Sequence, residues 1–223
     1  MIQLAQAANP IIRWEYFVDE WDQISEALIQ HLQLTVAAVG IGIALSAVLT
    51  AAVLRFHWTA TPISGVTGVL YTIPSVALFG VLVPHTGLTI WTAVIPLTAY
   101  TLLILVTNFV AGFRSVPPAV RDAADGMGLT PVRRVLGVEL PVAAPYIITG
   151  IRIATVSTVG LVTVAAIIGQ GGLGRLILDG LRRTFWTPMV IGAMLSIVLA
   201  LVLDLVIQMV GRLVTPWTRR SRA

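Results

Sequence analysis

The sequence contains no cysteine and no lysine. Without thiols there can be no disulfide, no thiolate metal site and no cysteine nucleophile. Without lysine there is no Schiff base and no P-loop lysine, so the chain is not expected to bind and hydrolyse ATP by itself. Charge is scarce too: only 11% of the 223 residues are charged, less than half the share of an ordinary soluble domain. No convergent catalytic or metal-ligating set stands out. The three histidines, His31, His57 and His85, fall at the ends of apolar stretches on differing sides.

What remains is apolar, 57% of the chain. That exceeds what a soluble fold of this size can bury, so the expected class is an all-α integral membrane protein, one membrane domain with no appended globular domain. The net charge of +4 comes from fourteen arginines in the polar intervals. Such loop charge reads as membrane topology, not as nucleic-acid binding.

Residues 1–31 lack the basic start, apolar core and small-residue cleavage site of a signal peptide. Trp14, Phe17, Val18, Trp21, Ile24 and Leu28 recur there at three- and four-residue spacing, with Glu15, Asp19, Glu20, Asp22 and Glu26 between them. This predicts an amphipathic helix lying in the membrane interface. Five apolar segments then have the length of a bilayer crossing: residues 32–54, 63–83 (interrupted by Pro74 and stopped by Pro84), 88–110 (with Pro96 inside), 146–168 and 189–210. The expected membrane domain covers residues 32–215, followed by a basic tail over 216–223.

Five crossings put the chain ends on opposite sides. If the central polar interval is cytoplasmic, the inside segments carry Arg55, Arg114, Arg121, Arg133, Arg134, Arg152, Arg212, Arg219, Arg220 and Arg222. The outside segments then hold only Arg13, Arg175, Arg182 and Arg183. The positive-inside rule favours that orientation, with the N-terminus outside and the C-terminus cytoplasmic.

The central interval, residues 114–141, is the longest polar stretch between crossings. Asp122, Asp125, Arg133, Arg134 and Glu139 supply its charge, and Gly126, Gly128 and Pro131 its turn signals. The pattern predicts two short helices around a tight turn outside the bilayer. Apolar Met127 and Leu129 on such a loop suit a docking knob. Small Ala123 and Ala124 are expected to allow a partner's close approach, and Gly128 a sharp turn.

Two other features have local explanations. Gly169, Gly171 and Gly174 satisfy G-x-G-x-x-G, but the preceding apolar run is membrane-length and no acid follows at the distance a dinucleotide site needs. With Gly172 they read as an external glycine turn leading into a surface helix at about residues 173–181. Asp204, an acid inside the last crossing, lies within reach of Arg152 and is expected to form a structural ion pair. Gly40, Ala44, Gly150 and Ala154 read as close helix contacts.

The central interval is similar to the EAA loop of binding-protein-dependent ABC importer permeases: E-A-A, three residues, Gly, nine residues, I-x-L-P. Here the positions are Asp122-Ala123-Ala124, Gly128 and Val138-Glu139-Leu140-Pro141, with every spacing kept. Asp stands for Glu and Val for Ile. Within that superfamily the chain resembles the osmoprotectant permeases, which import glycine betaine, carnitine, choline and proline betaine. The matching stretches are His31-Leu32-Gln33-Leu34, Thr72-Ile73-Pro74-Ser75, Ala77-Leu78-Phe79-Gly80, Gly126-Met127-Gly128-Leu129-Thr130, Glu139-Leu140-Pro141, Gly150-Ile151-Arg152 and Gly169-Gln170-Gly171-Gly172-Leu173-Gly174. Methionine-type permeases share the five-span plan and a similar glycine turn.

The resemblance implies a type I importer permease core with a cytoplasmic coupling helix, in the inner or plasma membrane of a bacterium. Two permease chains, identical or related, would form the pathway. An external substrate-binding protein would deliver solute, and two ATPase subunits, holding ATP and Mg, would drive it. In that family the loop docks on the ATPase, which assigns coupling to Asp122, Ala123, Ala124, Asp125, Gly126, Met127, Gly128, Leu129, Leu140 and Pro141. No cofactor, metal or nucleic acid is expected on this chain itself. Pro74 opens the helical ladder of the second crossing, and Tyr71, Thr72, Ser75 and Phe79 around it are expected to line the route. Aromatic faces there would attract a quaternary ammonium by about 0.5–2 kcal/mol. A stand-alone channel or secondary carrier would leave the loop spacing unexplained, and a membrane enzyme lacks its catalytic set.

Overall fold

The computed structural model describes residues 12–217, and every ordered element among them is helical. Helix α1 (Trp14–Asp19) is followed by the long α2 (Trp21–Arg55). The stripe read as one amphipathic helix is therefore divided at Glu20, and its second part is the opening of α2. Ile24 and Ala27 are buried there against Leu173 and Leu176, while Trp14, Val18 and Trp21 stay exposed. His31, placed at a crossing's end by its polarity, instead lies fully buried within α2, with Nε2 3.0 Å from the Val159 carbonyl.

The second apolar segment divides into α3 (Ala60–Thr72) and α4 (Ser75–Thr86), bent by 94° at Ile73 and Pro74. Pro74 cannot donate to the ladder and pushes Ile73 into extended backbone, so the helix must break there. Pro84, by contrast, sits inside α4, and the helix ends at Gly87. Next come α5 (Ile90–Arg114), α6 (Pro118–Gly126) and α7 (Pro131–Arg134). A π-helical turn, Val135–Glu139, joins α7 to α8 (Leu140–Val164), and a 3₁₀ turn, Ala165–Ile168, ends that helix. The π turn sits where Pro141 lacks the donor that a regular ladder would need. The chain finishes with α9 (Leu173–Arg183) and α10 (Trp186–Val214). Among the described residues, four helical stretches are long and apolar enough to cross a membrane, and the bent α3–α4 pair, taken as one span, makes five. Arg219, Arg220 and Arg222 of the basic tail lie outside the described residues.

Helix α5 is the hub, packed against α2, α3, α4 and α8, while α10 packs on α8 and α9. In lipid there is little hydrophobic drive between helices, so association rests on close packing and on internally satisfied polar groups. Both are present. Gly42, Gly112 and Gly150 sit where any Cβ would meet Thr101, Ala143 and Asn108 respectively. The close contact on α2 is thus Gly42; Gly40 has nothing within 4 Å, and Ala44 is exposed. Thr35, Thr67, Thr155, Thr158 and Ser196 return their hydroxyls to carbonyls four residues back. The exposed apolar side chains of α10, such as Leu201, Leu205 and Met209, face outward, as a lipid-contacting helix requires.

Candidate functional site

The polar interval folds as helix, turn and helix. Pro118 and Pro131 occupy first-turn positions, where their missing N–H is harmless. Gly128 has φ +75°, a conformation glycine adopts without strain, and it reverses the chain between α6 and α7. Asp122, Ala123, Asp125, Gly126, Met127 and Gly128 are exposed, and Leu129 is half-buried. Ala124 is 1% exposed: its small side chain lets α6 sit close on its own protein, not on a partner. Met127, 71% exposed, is joined by Val132 and Leu136 on the following turns. These last two escaped the sequence reading, although their four-residue spacing is a helical one.

A charged staple holds this loop to the crossings. Arg134 donates through Nη1 to both oxygens of Asp125 at 2.6 and 2.7 Å, and through Nε to Glu139 at 2.9 Å. The other oxygen of Glu139 lies 3.5 Å from Arg121 Nη2, which also donates to the Phe113 carbonyl at 2.6 Å. Glu139 itself is nearly buried. One carboxylate therefore ties α6, α7 and the start of α8 to the end of α5. Charge-assisted bonds are the stronger kind, so α6 is tied to the end of α5 and the start of α8 instead of hanging as a slack loop. Leu140 and Pro141 follow Glu139 directly and begin α8.

The break between α3 and α4 makes the second feature. An open groove of about 500 Å³ is lined by Tyr71, Thr72, Ile73, Pro74 and Ser75, with Tyr100 from α5 and Ser157, Gly160 and Leu161 from α8. The amide of Ala77 bonds to the Pro74 carbonyl, leaving the Ile73 carbonyl outside the helical ladder. The Tyr100 hydroxyl donates to it across the groove. Tyr71 and Tyr100 meet edge to face, ring centroids 6.1 Å apart. Phe79, expected on the route, is absent from the groove: it is 1% exposed and packs with Leu34, Val94 and Leu97. Tyr100 was missed because its partner lies 27 residues away, beyond any local pattern.

Two further expectations can be placed. Arg152 and Asp204 form a bidentate pair between α8 and α10, both contacts at 2.7 Å. The glycine turn is a packing device. Gly169 and Gly172 have positive φ, and a Cβ on Gly171, Gly172 or Gly174 would strike the backbones of Ala166, His31 and Thr163. Gln30 Oε1 accepts from the Gly172 amide at 3.1 Å, and Gln170 donates to the Leu88 carbonyl at 3.2 Å. The turn thereby joins α2, the α4–α5 corner and α9 at the end of the molecule away from α6.

Comparison with known proteins agrees with this architecture. The chain is 37% identical over 207 residues to the osmoprotectant import permease protein OsmW of Salmonella typhimurium (strain LT2), covering 90% of this chain and 96% of that one. It is 33% identical over 187 residues to the choline transport system permease protein OpuBB of Bacillus subtilis (strain 168), covering 84% and 86%. The fold matches the MetNI methionine ABC transporter, solved in inward-facing conformations, with a TM-score of 0.72 at 19% identity over 92% of this chain and 100% of that one. A family model matches residues 33–216, and the chain belongs to the family of binding-protein-dependent transport system inner membrane components.

Proposed function

We propose that this chain is the membrane-spanning subunit of an ATP-driven importer of compatible solutes bearing a quaternary ammonium: glycine betaine, carnitine, choline or proline betaine. The observation that carries the reading is identity of more than a third with an osmoprotectant import permease over nearly the full length of both chains. In this reading α6 and the α6–α7 turn are the coupling element. Met127, Val132 and Leu136 enter a groove on the ATPase, and Asp122 and Asp125 flank them. ATP and Mg stay on the ATPase; the permease supplies no catalytic residue. ATP-driven closure of the ATPases biases two states of the crossings through the Glu139 staple.

The arginine distribution supports placing α6 in the cytoplasm and the N-terminus outside. A second permease copy, identical or related, would complete the pathway, and an external binding protein would deliver the solute. Tyr71, Thr72 and Ser75 would line the route with Tyr100. The tyrosine pair in the groove favours a quaternary ammonium over the methionine alternative, since ring faces attract cations by about 0.5–2 kcal/mol. The test is uptake in proteoliposomes that contain the permease, its ATPase and its binding protein. ATP-dependent accumulation of labelled choline or glycine betaine is expected. Accumulation by the permease alone would contradict coupling, and accumulation of methionine alone would contradict the solute class.

A further inference from the structure

A further cavity borders the charged staple at Arg121, Arg134 and Glu139. It measures about 720 Å³ and lies between the last turns of α2, the end of α5 and the start of α8. Its wall is apolar, with Ile43, Ala47, Leu54, Phe109 and Ile147, and its mouth carries Arg55, Arg114, Arg121 and Arg134 against the one carboxylate of Glu139. Arg121 and Arg134 share that carboxylate. Arg55 leans on the ring of Phe56, 5.4 Å away. Arg55 and Arg114 have no acidic partner among the described residues. Inside, Thr50 is 2% exposed and its hydroxyl has no hydrogen-bond partner, unlike the threonines that bond back to their own helix.

We propose that this cavity binds one anionic phospholipid, phosphate at Arg55 and Arg114 and an acyl chain along the apolar wall. The shape fits. From Ile43 to Arg55 the lining follows α2 for roughly 18 Å at 1.5 Å per residue, about the depth of one bilayer leaflet from its middle to the headgroups. Charge fits as well: the unpaired arginines sit where two apolar helices end, at headgroup level, and each such cation adds attraction to an anionic surface. A soluble anion would use the arginines and leave the wall empty, and a second protein copy seated over the mouth would exclude lipid. The bound lipid would sit beside Arg121 and Arg134, and so beside the coupling staple. Such a lipid site requires only that the helices span a membrane, whichever solute is carried.

The experiment is native mass spectrometry of the delipidated permease with its ATPase, titrated with dioleoylphosphatidylglycerol, with dioleoylphosphatidylcholine and with inorganic phosphate. We expect one phosphatidylglycerol to be retained in preference to phosphatidylcholine by about tenfold or more. The R55Q/R114Q double variant should lose that preference, while R133Q, altered outside the cavity, should keep it. Ala47→Trp fills the apolar wall without touching an arginine and should also abolish retention. Equal retention of both lipids by the unaltered protein, full preference in the double variant, or displacement of the lipid by millimolar phosphate would overturn the proposal.

Discussion

At the residue scale, two interactions decide how far a single change is felt. Arg152 and Asp204 neutralise each other between α8 and α10, and removing one leaves an unpaired charge at membrane depth. Asp204→Asn should lower stability by about 2–4 kcal/mol, seen as a drop in Tm in detergent. The double variant R152Q/D204N should recover part of that loss, because it leaves no lone charge. Gly172 makes the second case: it combines φ +51° with a Cβ position 2.7 Å from the His31 Cα. Gly172→Ala should therefore cost about 1–3 kcal/mol through overpacking and strain. Gly160→Ala, where a Cβ meets nothing within 4 Å, is the control and should leave Tm unchanged.

At the element scale, the polar loop and the broken helix are held by different contacts. Glu139→Gln keeps the shape of the staple and removes its charge, a loss of about 1.5–3 kcal/mol in hydrogen bonding to charged groups. Solute moved per ATP should fall about tenfold, while the ATPase still copurifies with the permease. In the groove, Tyr100→Phe leaves the Ile73 carbonyl without its donor, and Tm should fall by the equivalent of about 1–3 kcal/mol. Tyr71→Ala should lower Tm only by the equivalent of its edge-to-face contact with Tyr100, about 0.5–1.5 kcal/mol, and raise the KM for choline uptake severalfold, the loss of one cation–π contact of about 0.5–2 kcal/mol. These elements differ in how far the sequence exposes them. The loop is legible because Asp122, Gly128, Pro131 and Pro141 are local signals at fixed spacing. Its inner face is not: that Ala124 turns inward while Val132 and Leu136 turn outward depends on how α6 lies against α7 and the π turn. Pro74 announces a break, yet neither its 94° angle nor the rescue by Tyr100 follows from neighbouring residues. Phe79 was misplaced for the same reason, since an aromatic near a break suits a core and a groove equally well.

At the scale of the whole molecule, the helices sort into two ends. One gathers Arg55, Arg114, Arg121 and Arg134 with the staple; the other joins the glycine turn to α2 and to the α4–α5 corner. The apolar crossings between them were plain from hydropathy, because lipid demands long uninterrupted helices. The continuity of α2 from Trp21 was not, since its first turns carry the acids of a surface helix and only their packing on α9 makes them part of a crossing. The central claim is that the arginine-rich end is cytoplasmic and takes work from a separate ATPase through α6. Absence of native cysteine allows a direct measurement. Met127→Cys, in vesicles holding the full complex, should cross-link to a cysteine placed in the ATPase groove and resist a membrane-impermeant thiol reagent applied to intact cells. Labelling of that cysteine from outside intact cells, with no cross-link to the ATPase, would contradict the account.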